Sequence, residues 1–432
     1  MQFRPSPSEP PFNTDVAQRP STGRPPALLL GGGLNLIRPL GFAGIPVIVA
    51  SPNPHEPAIW SRYCHGHYLL PPLHEPEAML SALIAIGDQI VSDFGCRAPL
   101  YYGDDDYLNL IYSYRHELSQ RFLMVLNEPE VASALIDKQR FEAFARNRGL
   151  MLPRTLAWDG PGPDSLADAA GPVLVKPKVK LGWDDSFIQL RIFGCGAKAR
   201  IFPSAREVMA HPLISQIKDQ LTFQEYIQGD DRHLWSFHGY ADENGTLLAW
   251  FVGNKIRTFP SLTGMSTYLE LAHDETLAAI GHDIVKQLPL KGVFKIDFKK
   301  NAADGRFHVL EVNARFNLWH HMAAKNGVNL PRVAYDHLIY RKPPARTTYR
   351  TAFRWLCLRS DFRAYRDLAD RGLLGMGDWL LSLLVSRKVY DLFSWTDPLP
   401  FLLWWANRGN SRLRRWRGHF VTWIRRWGST AS

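Results

Sequence analysis

Ala27 to Leu30 is an apolar run long enough for a buried strand and too short for a helix. Gly31-Gly32-Gly33 follows, then the helical stretch Leu34 to Ala43 and a second apolar run at Val47 to Ala50. This strand, glycine turn, helix, strand order predicts a parallel α/β layer. A further α/β unit covers Glu77 to Leu126, with a strand at Pro99 to Tyr102 and a loop at Gly103-Asp104-Asp105-Asp106. Two helical segments lie around Glu130 to Arg148, and Leu152-Pro153-Arg154-Thr155 breaks them. The pattern then changes to short β-rich segments at Val173 to Lys176, Ala199 to Phe202, Thr222 to Ile227, Leu234 to Tyr240 and Leu247 to Asn254. Val293 to Lys299 and Phe307 to Val312 form a strand pair around the turn Asn301 to Gly305. From Arg341 the pattern is helical, aromatic and basic, and no internal repeat is present.

The glycine turn after the first strand does not complete a dinucleotide fingerprint. Position 36 is leucine where that pattern needs its third glycine, and Val49-Ala50-Ser51 offers no acid for a ribose after the second strand.

Four other segments carry candidate chemistry. Lys138 stands near the start of a helix, in Asp137-Lys138-Gln139-Arg140-Phe141. Lys176 ends the buried-strand run Val173-Leu174-Val175-Lys176, a placement that delivers a cation to an anion such as triphosphate. Thr222 to Ile227 runs into the acidic turn Gln228-Gly229-Asp230-Asp231. Phe294-Lys295-Ile296-Asp297-Phe298 is followed by His308-Val309-Leu310-Glu311-Val312-Asn313-Ala314-Arg315. Alternation puts Glu311 and Asn313 on one face of a strand. With Asp297 on a neighbouring strand, three oxygen ligands meet, a set suited to Mg²⁺ or Mn²⁺. Arg315 is placed to fork onto phosphate or carboxylate oxygens.

The apolar fraction of 46% and charged fraction of 21% describe a globular chain of two or three domains, and no apolar run is long enough to span a bilayer. Met1 to Arg24, rich in Pro and Ser, lacks the apolar core of a secretory signal and reads as a disordered arm. Cys64, Cys96, Cys195 and Cys357 are scattered without a C-x-x-C pair, which argues against a structural zinc site and fits a reducing cytoplasm. Cys64-His65-Gly66-His67 has a metal-like composition but no partner cluster, and reads as structural. The net charge of +10 is uneven: from Arg341 onward eighteen Lys and Arg face six Asp, and eight of the 14 tryptophans lie there. Basic, Trp-rich helices of this kind suit an anionic membrane surface at the inner face, or a helical domain packed on the body; nucleic acid is the least favoured partner.

The order of the four segments resembles the ATP-grasp superfamily, and within it the carboxylate–amine ligase-like members, over about residues 26 to 340. The resemblance implies α/β and α+β architecture: a disordered arm (1–25), an N-terminal parallel α/β domain (26–126), a two-lobed ATP-clamping domain (127–340) and a C-terminal helical basic region (341–432). It implies that Lys138 and Lys176 hold the phosphates of ATP. Gln224, Glu225, Tyr226 and Ile227 would flank adenine, and Asp231, or as second choice Asp230, the ribose. Asp297, Glu311 and Asn313 would ligate Mg²⁺ or Mn²⁺, and Arg315 would touch the transferred phosphate. The family's glycine-rich phosphate loop normally follows the second lysine closely; here Lys178, Lys180 and Asp184-Asp185 intervene and the glycines come late, at Gly194-Cys195-Gly196.

The implied activity is a ligase that activates a carboxylate as an acyl phosphate and passes it to an amine. A phosphotransferase using the same ATP site, and a non-catalytic membrane-associated nucleotide-binding protein, remain the alternatives. Lys255 and Arg257, two apart on one predicted strand, and the loop Phe259 to Thr267 are the candidate substrate-binding residues. Trp319, His320 and His321 read as packed or surface side chains rather than as catalytic ones.

Overall fold

The computed structural model describes residues 24–160, 162, 164–178, 187–194, 197–342, 344 and 348–406, without the side chains of 138, 139 and 187–189. The Met1 to Arg24 arm (but for its last residue), Lys180, Asp184, Asp185, Cys195, Gly196 and the arginine-rich stretch Arg412 to Arg426 therefore lie outside the described residues. Lys138 opens the helix Lys138–Arg146, and its side chain lies outside them too.

Strands β1 (Ala27–Leu30), β2 (Val47–Ser51), β3 (Cys64–Leu69), β4 (Ala98–Tyr102) and β5 (Phe122–Leu123) form a parallel sheet in the order β3-β2-β1-β4-β5. Its central strands are buried on both faces, which is why β1 and β2 are continuous apolar runs rather than alternating ones. The loops after β1 and β4 pack directly together: a Cβ on Gly103 would lie 2.2 Å from the Gly32 nitrogen, so only glycine fits.

A small antiparallel sheet follows, built from β6 (Thr155–Leu156), β7 (Val173–Pro177), β8 (Arg200–Phe202) and β9 (Leu221–Glu225) in the order β6-β9-β7-β8. Val173, Val175, Leu221 and Phe223 on one face join a core of their own with Val208 and Ile214. Alternation therefore leaves Leu174, Lys176, Thr222 and Gln224 on the other face.

The largest sheet contains β10 (Leu234–Ala241), β11 (Leu247–Phe259), β12 (Met265–Ala272), β13 (Gly292–Lys300), β14 (Phe307–Asn313), β15 (Phe353–Leu356) and β16 (Arg387–Tyr390), ordered β14-β13-β10-β11-β12-β15-β16. One face, with Phe237, Val252, Ile296, Phe298 and Val312, packs on the helix Glu275–Gln287. On the other face Phe251, Leu269, Leu271 and Trp319 share a core with Leu36, Ile37 and Tyr101 of the first domain. A single apolar layer therefore fixes the parallel sheet against the large sheet.

Beyond residue 341, where the sequence reading expects helices, the helices Leu358–Asp370 and Met376–Leu384 are present, and β15 and β16 in addition extend the large sheet. Two buried ion pairs fasten this region. Asp361 receives Nε and Nη2 of Arg257, each at 2.8 Å, and also Thr267 Oγ1 and Trp379 Nε1 at 2.9 Å. Asp397 receives Arg38 Nε at 3.1 Å, Ser61 Oγ at 2.8 Å and the Arg62 amide at 2.9 Å, all from the first domain.

Candidate active site

The β10, β11, β13 and β14 registers bring one set of polar residues to a common face. Ser236 lies opposite both Gly253 and Asp297, Asp297 opposite Glu311, and Lys295 opposite His238 and Asn313. Directly opposed residues point to the same side of a sheet, so His238, Ser236, Lys255, Lys295, Asp297, Glu311 and Asn313 share one surface. Asn313 Nδ2 is 3.3 Å from Asp297 Oδ2 and 3.1 Å from Glu311 Oε1. Lys295 Nζ is 2.6 Å from Asp297 Oδ2, and Lys255 Nζ is 3.9 Å from Asp297 Oδ1. Asp297 Oδ1 is buried and has no hydrogen-bond partner among the described residues. Burial pulls the Lys255 ammonium down from its ordinary value, and the Asp297 carboxylate opposes that shift.

This donor set fits a divalent cation. Two carboxylates and an amide converge, one buried carboxylate oxygen lacks a donor, and turning the Asn313 amide over presents its oxygen to the same point. Among the described residues no three His, Cys, Asp or Glu side chains gather, so the third ligand of such a site is the asparagine.

A cavity of about 330 Å³ lies beside this surface, between Glu225, Tyr226, Ile227 and Gln228 on one side and Asn301, Arg306 and His308 on the other. His308 is opposite Lys299, two residues along β13 from Asp297, so the cavity continues the polar face. The Glu225 amide donates to Arg154 O at 2.9 Å and the Tyr226 amide to Pro172 O at 3.0 Å. The Ile227 N–H makes no backbone hydrogen bond among the described residues. The small lobe meets the large sheet again where the Lys198 amide donates to Thr263 O at 3.2 Å.

Several expected residues sit elsewhere. Arg257 is turned away from Asp297 and buried against Asp361. A β-bulge causes this: Lys255 pairs with Leu269 but Arg257 with Tyr268, so Ile256 is an extra residue and the alternation inverts. Asp231 is also turned inward. Its carboxylate accepts the Thr258 amide at 2.7 Å, Thr258 Oγ1 at 2.8 Å and the Leu262 amide at 2.7 Å, and so ties down the expected substrate loop. Burial raises its pKa from the ordinary carboxylate value, against those three donors. Gln224 shares the open face of the small sheet with Lys176, but its amide donates to Thr155 Oγ1 at 3.2 Å. Arg315 stays at the edge of the polar face, held by Asp105 of the first domain with Nη2 3.2 Å from Oδ2. Trp319, His320 and His321 are buried, in line with a packing role.

Two residues escaped the sequence reading. Lys295 is two positions before Asp297 on the same strand, a spacing that puts both on one face and could have found it. Lys299 donates to Gly229 O at 2.7 Å and Asp230 O at 2.8 Å, holding the turn after the cavity wall; burial lowers its pKa to about 8. Only the fold brings that turn to β13.

Residues 247–358 match a family model described as ATP-grasp in the biosynthetic pathway with Ter operon. The match spans Lys255, Lys295, Asp297, Glu311, Asn313 and Arg315. The chain is similar to a D-aspartate ligase of Enterococcus faecium (strain Aus0004), 22% identical over 295 residues, covering 66% of this chain and 68% of that protein. Among solved structures it resembles N5-carboxyaminoimidazole synthetase from Staphylococcus aureus complexed with ADP, with a TM-score of 0.52, 13% identity, and 74% and 78% of the two chains covered. It also resembles a biotin carboxylase from Campylobacter jejuni in a β,γ-ATP complex, with a TM-score of 0.53, 13% identity, and 76% and 74% covered. At these identities the likeness shows a common fold.

Proposed function

We propose that the chain is an ATP-grasp enzyme, an ATP- and Mg²⁺-dependent ligase joining a small-molecule carboxylate to an amine, with ADP and phosphate as products. The carrying observation is the convergence of Asp297, Glu311 and Asn313 with Lys255 and Lys295 on one face, beside a cavity walled by Glu225 to Gln228. Asp297, Glu311 and Asn313 would hold the divalent cation, which when bound neutralises phosphate charge. Adenine enters the cavity and meets the Ile227 N–H. Lys176 and Lys255 bind phosphate oxygens. Lys295, 2.6 Å from Oδ2, orients the Asp297 carboxylate.

The substrate carboxylate oxygen attacks the γ-phosphorus, the bond to the ADP oxygen breaks, and an acyl phosphate forms. Arg315, oriented by Asp105, offsets charge on the transferred group. The amine nitrogen then attacks the acyl carbon, phosphate leaves, and the amine gives up a proton. No side-chain nucleophile takes part, so rate comes from positioning and charge.

The test is ADP release by the full chain with ATP, Mg²⁺ and a panel of acids and amines. D-aspartate heads the panel because it is in the name of the similar Enterococcus enzyme. Turnover that requires both an acid and an amine, and disappears in Asp297→Ala and Glu311→Ala, is expected. Turnover indifferent to amines would replace the ligase with a phosphotransferase.

A further inference from the structure

The helix Met376–Leu384 packs one side, half-buried, against the body and leaves the other bare. Trp379 and Ser382 reach inward, Trp379 Nε1 to Asp361 at 2.9 Å and Ser382 Oγ to Arg257 at 3.0 Å, and Leu383 packs on Tyr268 and Leu356. The outward side carries Met376, Leu380, Leu381 and Leu384, preceded by Leu373 and followed by Val385, all exposed; Leu381 is 61% and Leu384 79% accessible. Six large apolar side chains in thirteen residues, held out by a buried polar anchor, form a contiguous patch rather than scattered surface leucines. Phe362, exposed on the neighbouring helix Leu358–Asp370, touches Trp379 with ring centroids 5.6 Å apart and extends it.

The rim of this patch is cationic. Arg359, Arg363, Arg366 and Arg387 are exposed and make no ion pair among the described residues, against the exposed acids Asp370 and Asp378. The chain then ends its described course in a helix, 399–406, with Trp405 69% accessible. Residues 407–432, which follow, contain seven arginines, three tryptophans and no acid.

We propose that the 373–385 patch docks on an anionic lipid surface, inserting Leu380, Leu381 and Leu384 among the acyl chains while the surrounding arginines meet headgroup phosphates. A short apolar helix face with a basic rim is suited to lying in a membrane interface, and each cation near an anionic leaflet adds to the attraction. A second copy is a poorer occupant, because facing patches would bring two arginine rims together. No described helix is long and apolar enough to cross a membrane, so the contact is peripheral.

The experiment is co-sedimentation of the full chain with vesicles containing phosphatidylglycerol and, separately, with phosphatidylcholine alone. The wild type should pellet with the anionic vesicles and not with the neutral ones. Leu381→Glu/Leu384→Glu should lower partitioning roughly tenfold or more, with unchanged circular dichroism, because both side chains already face solvent. Three outcomes overturn the proposal. One is failure of the wild type to bind anionic vesicles. The second is equal binding by the double variant, which assigns attraction to residues 407–432 alone. The third is a lipid-independent dimer, by light scattering, that the double variant dissolves.

Discussion

Arg257 on β11 and Asp361 on the 358–370 helix form a bidentate pair, Nε and Nη2 each 2.8 Å from one carboxylate oxygen, in a site that excludes water from both. Breaking such a pair from one side strands a buried charge. Arg257→Ala should therefore destabilise the fold by about 3–5 kcal/mol in urea denaturation, whereas Arg257→Met with Asp361→Leu should lose far less. If Arg257 instead bound substrate, the alanine variant would keep its stability and lose affinity.

Asp297 and Glu311 are expected to act on nucleotide rather than on folding. Asp297→Asn and Glu311→Gln should each reduce ADP release by roughly a hundredfold or more. The thermal stabilisation given by Mg²⁺ with ATP should shrink, while melting without nucleotide stays close to wild type. A large fall in the nucleotide-free melting temperature would make these residues structural.

Lys299 gives the fold a pH dependence of defined sign. Its folded pKa is about 8, below the ordinary 10.5, because burial disfavours the charged form. Between those values the unfolded chain holds a proton that the folded chain has released, so rising pH favours folding. This contribution is fully present above the unfolded value and is lost as pH falls through about 8. Wild type should accordingly gain stability relative to Lys299→Met as pH rises from about 8 toward 10, read from paired denaturation curves. A pH-independent difference would contradict the shift.

Gly253 lies under the Trp319 ring, where a Cβ would come within 2.3 Å of a ring carbon. Gly253→Ala should destabilise by about 1–3 kcal/mol, and Trp319→Leu in the same chain should recover part of it. Because Gly253 is directly opposite Ser236 and two residues from Lys255, the displaced ring should also lower turnover, which ADP release would show.

Local pattern carried much of the architecture. β1 and β2 announced a parallel layer because strands covered on both faces need unbroken apolar runs. Glu311 and Asn313 could be placed on one face because both lie on the same side of the β13–β14 irregularity, past Leu310. Counting by twos failed for Lys255 and Arg257 because Ile256 bulges, and no residue type there marks the bulge. Asp231 and Asp361 were opaque for a different reason. An acid's role depends on which donors the fold brings to it, and those of Asp231 come from residues 258 and 262, those of Asp361 from 257, 267 and 379. Strands β15 and β16 were hidden among basic and aromatic residues, since Phe353–Leu356 and Arg387–Tyr390 lack the clean alternation of a half-exposed strand.

The Arg38–Asp397 contact imposes an order on how the protein is made. Arg38 sits in the helix Leu34–Phe42, fully buried, and the carboxylate that matches it emerges from the ribosome about 360 residues later. Until then the first domain must keep an arginine hydrated that its finished form encloses, so its surface around Ser61 and Arg62 stays open through most of synthesis. A ribosome stalled before residue 397 would display a parallel sheet with a wet charged socket, and the last stretch of translation closes it.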